Sequence, residues 1–277
     1  MLITVSVVIP TYNAAHLLAR TLAALQHQTH PHQLTQVIVA DDGSDEDPGA
    51  TVRRWAGELS ATVVAQPRRG FRLASARNLA IRAAEGDVIV SLDVDMIPSP
   101  RLVAAHVGAV KPKHDLVSIG PRTYIDASHL SPGELARDPM TAQGAARVAS
   151  ASNWFLPQDR RVAELSRLAT HPAPYNCIHG CNCAYWRESA LRAGLYDEDF
   201  NGAWGYEDTE FAFRLFQNGG RFVFTASAVA WHQENSVVAF NERLRGDAVN
   251  FELACAKIPG FREFKDRLRR RQRRPWW

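Results

Sequence analysis

Short β-branched runs alternate with segments of helical periodicity through the first hundred residues. Val5-Ser6-Val7-Val8-Ile9 has the pattern of a buried strand closed by Pro10. Leu17, Leu18, Thr21, Leu22 and Leu25 then recur at helical spacing, with Asn13 placed to cap the start. Residues 36–40 predict a second strand, 51–59 a helix and 61–65 a third strand. The Ala- and Arg-rich stretch 74–85 predicts a helix, and 87–92 a fourth strand. Such a β-α-β-α-β-α-β alternation predicts an α/β fold, a Rossmann-like, mostly parallel sheet flanked by helices on both faces.

Beyond Pro98-Ser99-Pro100 the periodicity loosens. A helix over 101–110 and a strand over 116–119 precede a long irregular stretch to about Pro174, with helical pieces near 132–137 and 161–168. Long connections of this kind in enzymes are usually lids or binding segments. Order returns with a strand over 183–186, a helix from Glu188, a helix over 208–218 ended by Gly219-Gly220, and strands over 222–224 and 229–232. No repeat or low-complexity linker divides the chain, so one domain over 1–261 is expected, its first part ending near residue 100.

Hydrophobic content of 46% and charged content of 22% fit a globular enzyme. The net charge of +3 is unevenly placed: eight basic and two acidic residues give 262–274 a charge of +6, leaving −3 on 1–261. The 262–277 segment therefore reads as a basic tail, solvated or in peripheral contact with an anionic membrane through its arginines and Trp276-Trp277. No apolar run is long enough to span a bilayer and no basic leader opens the chain, so a cytoplasmic protein is expected. No nucleic-acid partner is expected. Three of the four cysteines fall in Cys177-Ile178-His179-Gly180-Cys181-Asn182-Cys183, whose spacing suits buried thiols better than paired zinc ligands.

The chemistry gathers where strands end. Asp93-Val94-Asp95 follows the fourth strand, and a carboxylate pair leaving a sheet is costly unless something positive neutralises it. Mg²⁺ or Mn²⁺ binds through one or two carboxylates plus substrate phosphates; a pair of loop caps is the plainer alternative. Pro10-Thr11-Tyr12-Asn13 and Asp41-Asp42-Gly43-Ser44 end the first two strands, and ligands of such sheets bind at those carboxyl ends. Arg68, Arg69 and Arg77 surround a helix start that suits a diphosphate. Trp204-Gly205-Tyr206-Glu207-Asp208 combines aromatic faces, a close-approach glycine and an acidic pair, the parts of a sugar pocket with a general base. Those acids equally complement a helix dipole.

In this order the motifs resemble family-2 glycosyltransferases of the GT-A fold. Those from Asn182 to Trp231-His232-Gln233-Glu234 resemble the galactosyltransferase-type segment of bacterial chondroitin-polymerase domains and animal polypeptide N-acetylgalactosaminyltransferases. The resemblance implies a nucleotide-binding half over 1–100 and an elaborated donor-sugar and acceptor half over 101–261. It implies that Pro10, Thr11, Tyr12, Asp41 and Asp42 surround the uracil nucleoside. Arg77, Asp93, Asn182, Trp204 and Gly205 would meet the nucleotide or donor sugar. Asp95 and His232 would ligate Mn²⁺ or Mg²⁺; Asp208 would be the base, with Glu207 beside it. The implied reaction moves a hexose or N-acetylhexosamine from a UDP-sugar to a carbohydrate, lipid-linked or small-molecule acceptor, with inversion. The polypeptide-modifying relatives retain configuration, so retention stands as an alternative. So do a nucleotidyltransferase, which should carry a Gly-rich, Lys-containing phosphate loop in place of Pro10-Thr11-Tyr12-Asn13, and a non-catalytic scaffold.

Overall fold

A computed structural model describes residues 2–111, 113–145, 162–233 and 240–271. Ten strands form two sheets: β1 (Val5–Thr11), β2 (Thr35–Asp41), β3 (Ser60–Ala65), β4 (Val88–Leu92), β5 (Met96–Pro98), β6 (Leu116–Ile119), β7 (Arg122–Ile125), β8 (Asn182–Trp186), β9 (Arg221–Phe224) and β10 (Ala230–Gln233). The large sheet has the order β3-β2-β1-β4-β8-β6-β9. Its first four strands run parallel, β8 is antiparallel to both neighbours, and β9 is parallel to β6. The small sheet, β5-β10-β7, pairs β10 antiparallel to β5 and parallel to β7.

Both faces of the large sheet are covered. Val7, Ile9, Val37, Val39, Val88 and Val90 pack with α1 (Ala15–Leu25), α2 (Pro48–Trp55) and α4 (Leu102–Val110). Val8, Ile38 and Ile89 point the other way. They share a core with α3 (Leu73–Ala83), α8 (Arg187–Arg192), α9 (Glu207–Gln217), α10 (Phe240–Lys257) and α11 (Phe261–Arg271). This two-sided burial explains why the central strands read as continuous apolar runs rather than alternating ones. The short α5 (Pro132–Leu135), α6 (Thr141–Gly144) and α7 (Val162–Leu165) interrupt the long connection. Ser131 opens α5 with a capping box closed by Glu134.

Several expectations shift. The first strand continues through Pro10 to Thr11, because its ladder to β4 already ends at Val8↔Ser91 while its pairing with β2 runs on. Asn13 does not cap α1: Ala14 holds that position, and Asn13 turns left-handed (φ 46) to exchange hydrogen bonds with Asp45. The second helix is Pro48–Trp55 rather than 51–59, started by Asp47, whose carboxylate accepts from Gly49 N–H. The basic segment is helical from Phe261 to Arg271, while Trp276, Trp277 and Glu234 lie outside the described residues. Cys177, Cys181 and Cys183 are buried thiols. Among the described residues no helix is long and apolar enough to cross a membrane.

Candidate functional site

Strand order brings the polar ends of β1, β2 and β4 side by side. Thr11 pairs with Asp41, and Asp42 N–H donates to Thr11 O at 2.9 Å. One strand over, Asp93 opens the turn after β4, and its N–H donates to Cys181 O at 3.3 Å. The chain then enters β5, whose Met96 pairs with His232 of β10. Gln233 N–H donates to Asp95 O at 2.8 Å, which ties the carboxylate turn to the strand carrying the histidine. Gln233 is itself pinned by Arg20 Nη1 at 3.2 Å.

The centre of the site is a buried cation. Arg77, 2% exposed, donates from Nη1 to Glu207 Oε1 at 2.7 Å and from Nη2 to Asp93 Oδ1 at 2.9 Å. Burial opposes its charge, yet Asp93, Tyr196, Glu207 and Asp208 together hold its pKa well above the ordinary value. The same burial, reinforced by Asp208, pushes Glu207 up to about 7 against the pull of Arg77. Asp208 is fixed separately: its Oδ2 accepts from Gly180 N–H at 3.0 Å and its Oδ1 from Thr209 N–H at 2.7 Å. Ser91 Oγ donates to Gly180 O at 2.7 Å, so the residue holding Asp208 is itself fastened to β4. Carboxylates more than a hundred residues apart thus share one hydrogen-bonded unit.

Asp93 and Asp95 occupy the two ends of the three-residue turn. Asp95 faces His232, Oδ2 to Nε2 at 3.4 Å, each side chain 16% exposed. His232 Nδ1 lies 3.1 Å from Gln233 O; a carbonyl only accepts, so Nδ1 carries a proton and Nε2 is the nitrogen that faces Asp95. A carboxylate and an imidazole nitrogen so placed can share a proton or jointly ligate a cation. Ligands roughly 2.1 Å from one ion at right angles are about 3 Å apart, so the pair fits a Mg²⁺- or Mn²⁺-sized ion.

The end of β2 and the turn after it carry two of the residues expected around the nucleoside, Asp41 and Asp42. Asp41 Oδ1 accepts from Ser44 N–H (3.0 Å) and Oγ (2.6 Å). Asp42 accepts from Gln66 Nε2 and from Arg72 N–H, both at 2.7 Å. Tyr12 is 41% exposed, with the Arg68 guanidinium 5.6 Å from its ring centre. Pro10 is buried inside β1 and contributes shape alone.

Two residues expected near the donor point into the protein. Arg77 reaches inward from α3 as the counter-ion of Asp93 and Glu207. Asn182 is fully buried within the sheet: its amide donates to Pro121 O and Ala228 O, both at 2.9 Å, and its oxygen is 2.9 Å from His106 Nε2. Burial pushes His106 down to about 4, so it is neutral and donates to Asn182. Asn182 therefore ties β8 to the turns that lead into β7 and β10. Among the arginines expected at the diphosphate, Arg68 pairs with Asp45 at 2.9 Å; nearby Arg72 lies 3.6 Å from Asp42.

Trp204 (44% exposed) and Gly205 (φ 100) lead into α9, and Tyr206 adopts φ 69. Two successive left-handed residues turn the chain so abruptly that Glu207 and Asp208 open the helix directly. Sequence reasoning did not single out Gly180, Ser91 or Gln233 as parts of this machinery. Each acts through backbone or supporting hydrogen bonds that leave no charge signature; for Gly180 the only hint was a glycine beside the Cys-Asn step.

Comparison with known proteins identifies the family and the fold. Residues 6–190 match the family model described as Glycosyl transferase family 2, and 160–234 match one described as N-terminal domain of galactosyltransferase. A Pasteurella multocida hyaluronan synthase is 33% identical over 92% of this chain and 27% of its own length. An Escherichia coli chondroitin synthase is 33% identical over 95% of this chain and 40% of its own length. The chain thus spans well under half of these relatives. Among solved structures, the mannosyltransferase PcManGT of Pyrobaculum calidifontis, in complex with GDP-Man and Mn²⁺, is 26% identical. It superposes with a TM-score of 0.59 over 88% of this chain and 60% of its own. The α/β architecture is that of the GT-A glycosyltransferases.

Proposed function

Since the chain belongs to glycosyl transferase family 2, we propose that it moves a hexose or N-acetylhexosamine from a UDP-sugar to an acceptor hydroxyl, with inversion at the anomeric carbon. The observation that carries this reading is the Arg77 bridge, which joins the Asp93–Asp95 turn to the Glu207-Asp208 helix start at 2.9 and 2.7 Å. A donor diphosphate at the strand ends and an attacking hydroxyl at α9 then share one cleft.

Thr11, Tyr12 and Asp42 would take the nucleoside, and Asp93 the ribose or donor sugar. Asp95 and His232 would hold Mn²⁺ or Mg²⁺, which when bound neutralises charge on the departing UDP. The acceptor oxygen attacks the anomeric carbon as the bond from that carbon to the UDP oxygen breaks. UDP leaves with the bonding pair, and Asp208 takes the hydroxyl proton. Gly180 N–H and Thr209 N–H keep the Asp208 carboxylate oriented for that transfer. The relatives' names point to a growing glycan as acceptor, and this chain would correspond to one transfer unit of such a synthase.

Calorimetry against a panel of UDP-sugars with Mn²⁺, followed by transfer to p-nitrophenyl glycosides, tests the reading. Asp208→Asn should bind UDP normally and lose about 10²–10⁴-fold in kcat. Normal transfer by Asp208→Asn would remove the base. No heat with any UDP-sugar would remove the donor class.

A further inference from the structure

Residues 240–271 lie outside both family matches, yet they hold the loop that enters the site. We propose that Asn250 of α10 is a positioning residue for the acceptor: it fixes the loop that presents Trp204 and delivers Glu207-Asp208. The proposal rests on the transfer reaction inferred above.

Asn250 is 2% exposed, on a helix otherwise packed through Phe251, Ala254 and nearby Ile258. Its Nδ2 lies 2.8 Å from Gly205 O, 3.0 Å from Ala203 O and 3.2 Å from Phe200 O. One amide with two hydrogens thus serves three carbonyls of a single loop, a task beyond any hydroxyl or apolar side chain. The same helix ends in Lys257, which pairs with Asp197 and Asp199 at the loop's start. Tyr206, held at φ 69, packs its ring against Phe251 and Phe261, with Lys265 Nζ 5.7 Å from the ring centre. Strain of that kind persists only where the surroundings over-determine it.

From the opposite side, Gly202 N–H donates to Phe71 O at 2.6 Å and Asn201 Nδ2 to Ser75 Oγ at 2.8 Å. The loop is therefore clamped between α3 and α10. Trp204 in the loop and Phe71, which bonds to it, are large apolar side chains left 44% and 41% exposed. Exposed aromatic faces on and against the loop that leads to Asp208 suit the apolar face of a pyranose, so the ligand class is a sugar-bearing acceptor.

The test uses the full chain with UDP plus Mn²⁺ in calorimetry and p-nitrophenyl hexosides, hexuronides and N-acetylhexosaminides as acceptors. Asn250→Leu keeps the branching at Cγ and removes the donors. It should lower kcat/KM for the acceptor about 10- to 100-fold, with the Kd for UDP within twofold of wild type. Lys257→Ala, at the helix surface, should move the same parameter about threefold in the same direction and decides the matter if Asn250→Leu does not fold. Unchanged acceptor parameters in both variants would overturn the proposal, as would equal losses in UDP binding and acceptor use. If wild type transfers sugar and the variants match it, only the brace is wrong. If wild type binds no UDP, the reading of the site falls and the brace with it.

Discussion

Gly180→Ala tests the centre of the site with one methyl group. Gly180 is not left-handed, so space and not backbone conformation forbids a side chain there. A Cβ would lie 2.6 Å from Arg77 Nη2 and 2.7 Å from Cζ, where ordinary contact begins at 3.4 Å, so the guanidinium must retreat by about 0.8 Å. An exposed arginine would yield freely, but this one is 2% exposed and bonded at 2.7 and 2.9 Å to two carboxylates. Gly180 cannot retreat either, since Ser91 and Asp208 hold its two backbone polar groups. Overpacking of this size costs about 1–3 kcal/mol, several degrees in Tm. Misplacing Glu207 and Asp208 by something under an ångström should lower kcat on the order of 10²-fold. UDP affinity should fall less than kcat, because Asp41 and Asp42, expected at the nucleoside, are held by Ser44, Gln66 and Arg72 and not by Arg77. Adding Arg77→Lys removes the overlapping fork, so the double variant should regain stability relative to Gly180→Ala without regaining rate. Activity within twofold of wild type in Gly180→Ala, or an equal fall in UDP binding, would refute the reasoning.

Glu207→Gln should change the pH profile of stability in a defined direction. The folded carboxyl, raised to about 7, binds more protons than the unfolded one between about pH 4.5 and 7. Wild type therefore loses stability across that window as pH rises, and the Tm of Glu207→Gln should gain on it. His106 acts oppositely: lowered to about 4, it contributes stability present above about pH 6.5 and lost as pH falls, roughly 3 kcal/mol in all. His106→Phe should lose that acid-side slope in urea titrations. Asn182→Ala should cost about 3 kcal/mol in urea and leave the Kd for UDP unchanged, because its amide serves buried carbonyls and not the donor. A large loss of UDP affinity in Asn182→Ala would return that residue to the cleft.

The strands that set the site were legible because they are buried on both faces. Val7 and Val8 face different cores, so β1 had no polar alternation to blur it. The placement of Asp93 and Asp95 followed from that of β4, and the expected strand 116–119 coincides with Leu116–Ile119. β5 and β7 were not legible: three or four residues carry no periodicity, and only pairing with β10 makes them strands. The Asn13 cap failed for a related reason. Its local preference lost to Ser44 and Asp45, partners about thirty residues away that the sequence does not place.

The arginines show where residue type misleads. Three of them, Arg68, Arg69 and Arg77, suggested a phosphate cradle, but folding gives Arg68 to Asp45 and Arg77 to Asp93 and Glu207, while Arg72 between them goes to Asp42. Arg77 turns inward because Gly180 leaves room for its fork and because two acids offset the cost of burying it. Three of the described arginines nearest the strand ends are thus already paired, and on the proposed reading neutralising a bound diphosphate would fall to a cation held by Asp95 and His232. Exhaustive chelation, or Asp95→Ala, should thus lower transfer by at least about 100-fold, while Arg69→Ala should change it less than about threefold. The reverse ranking in a UDP-release assay would hand the diphosphate back to the arginines.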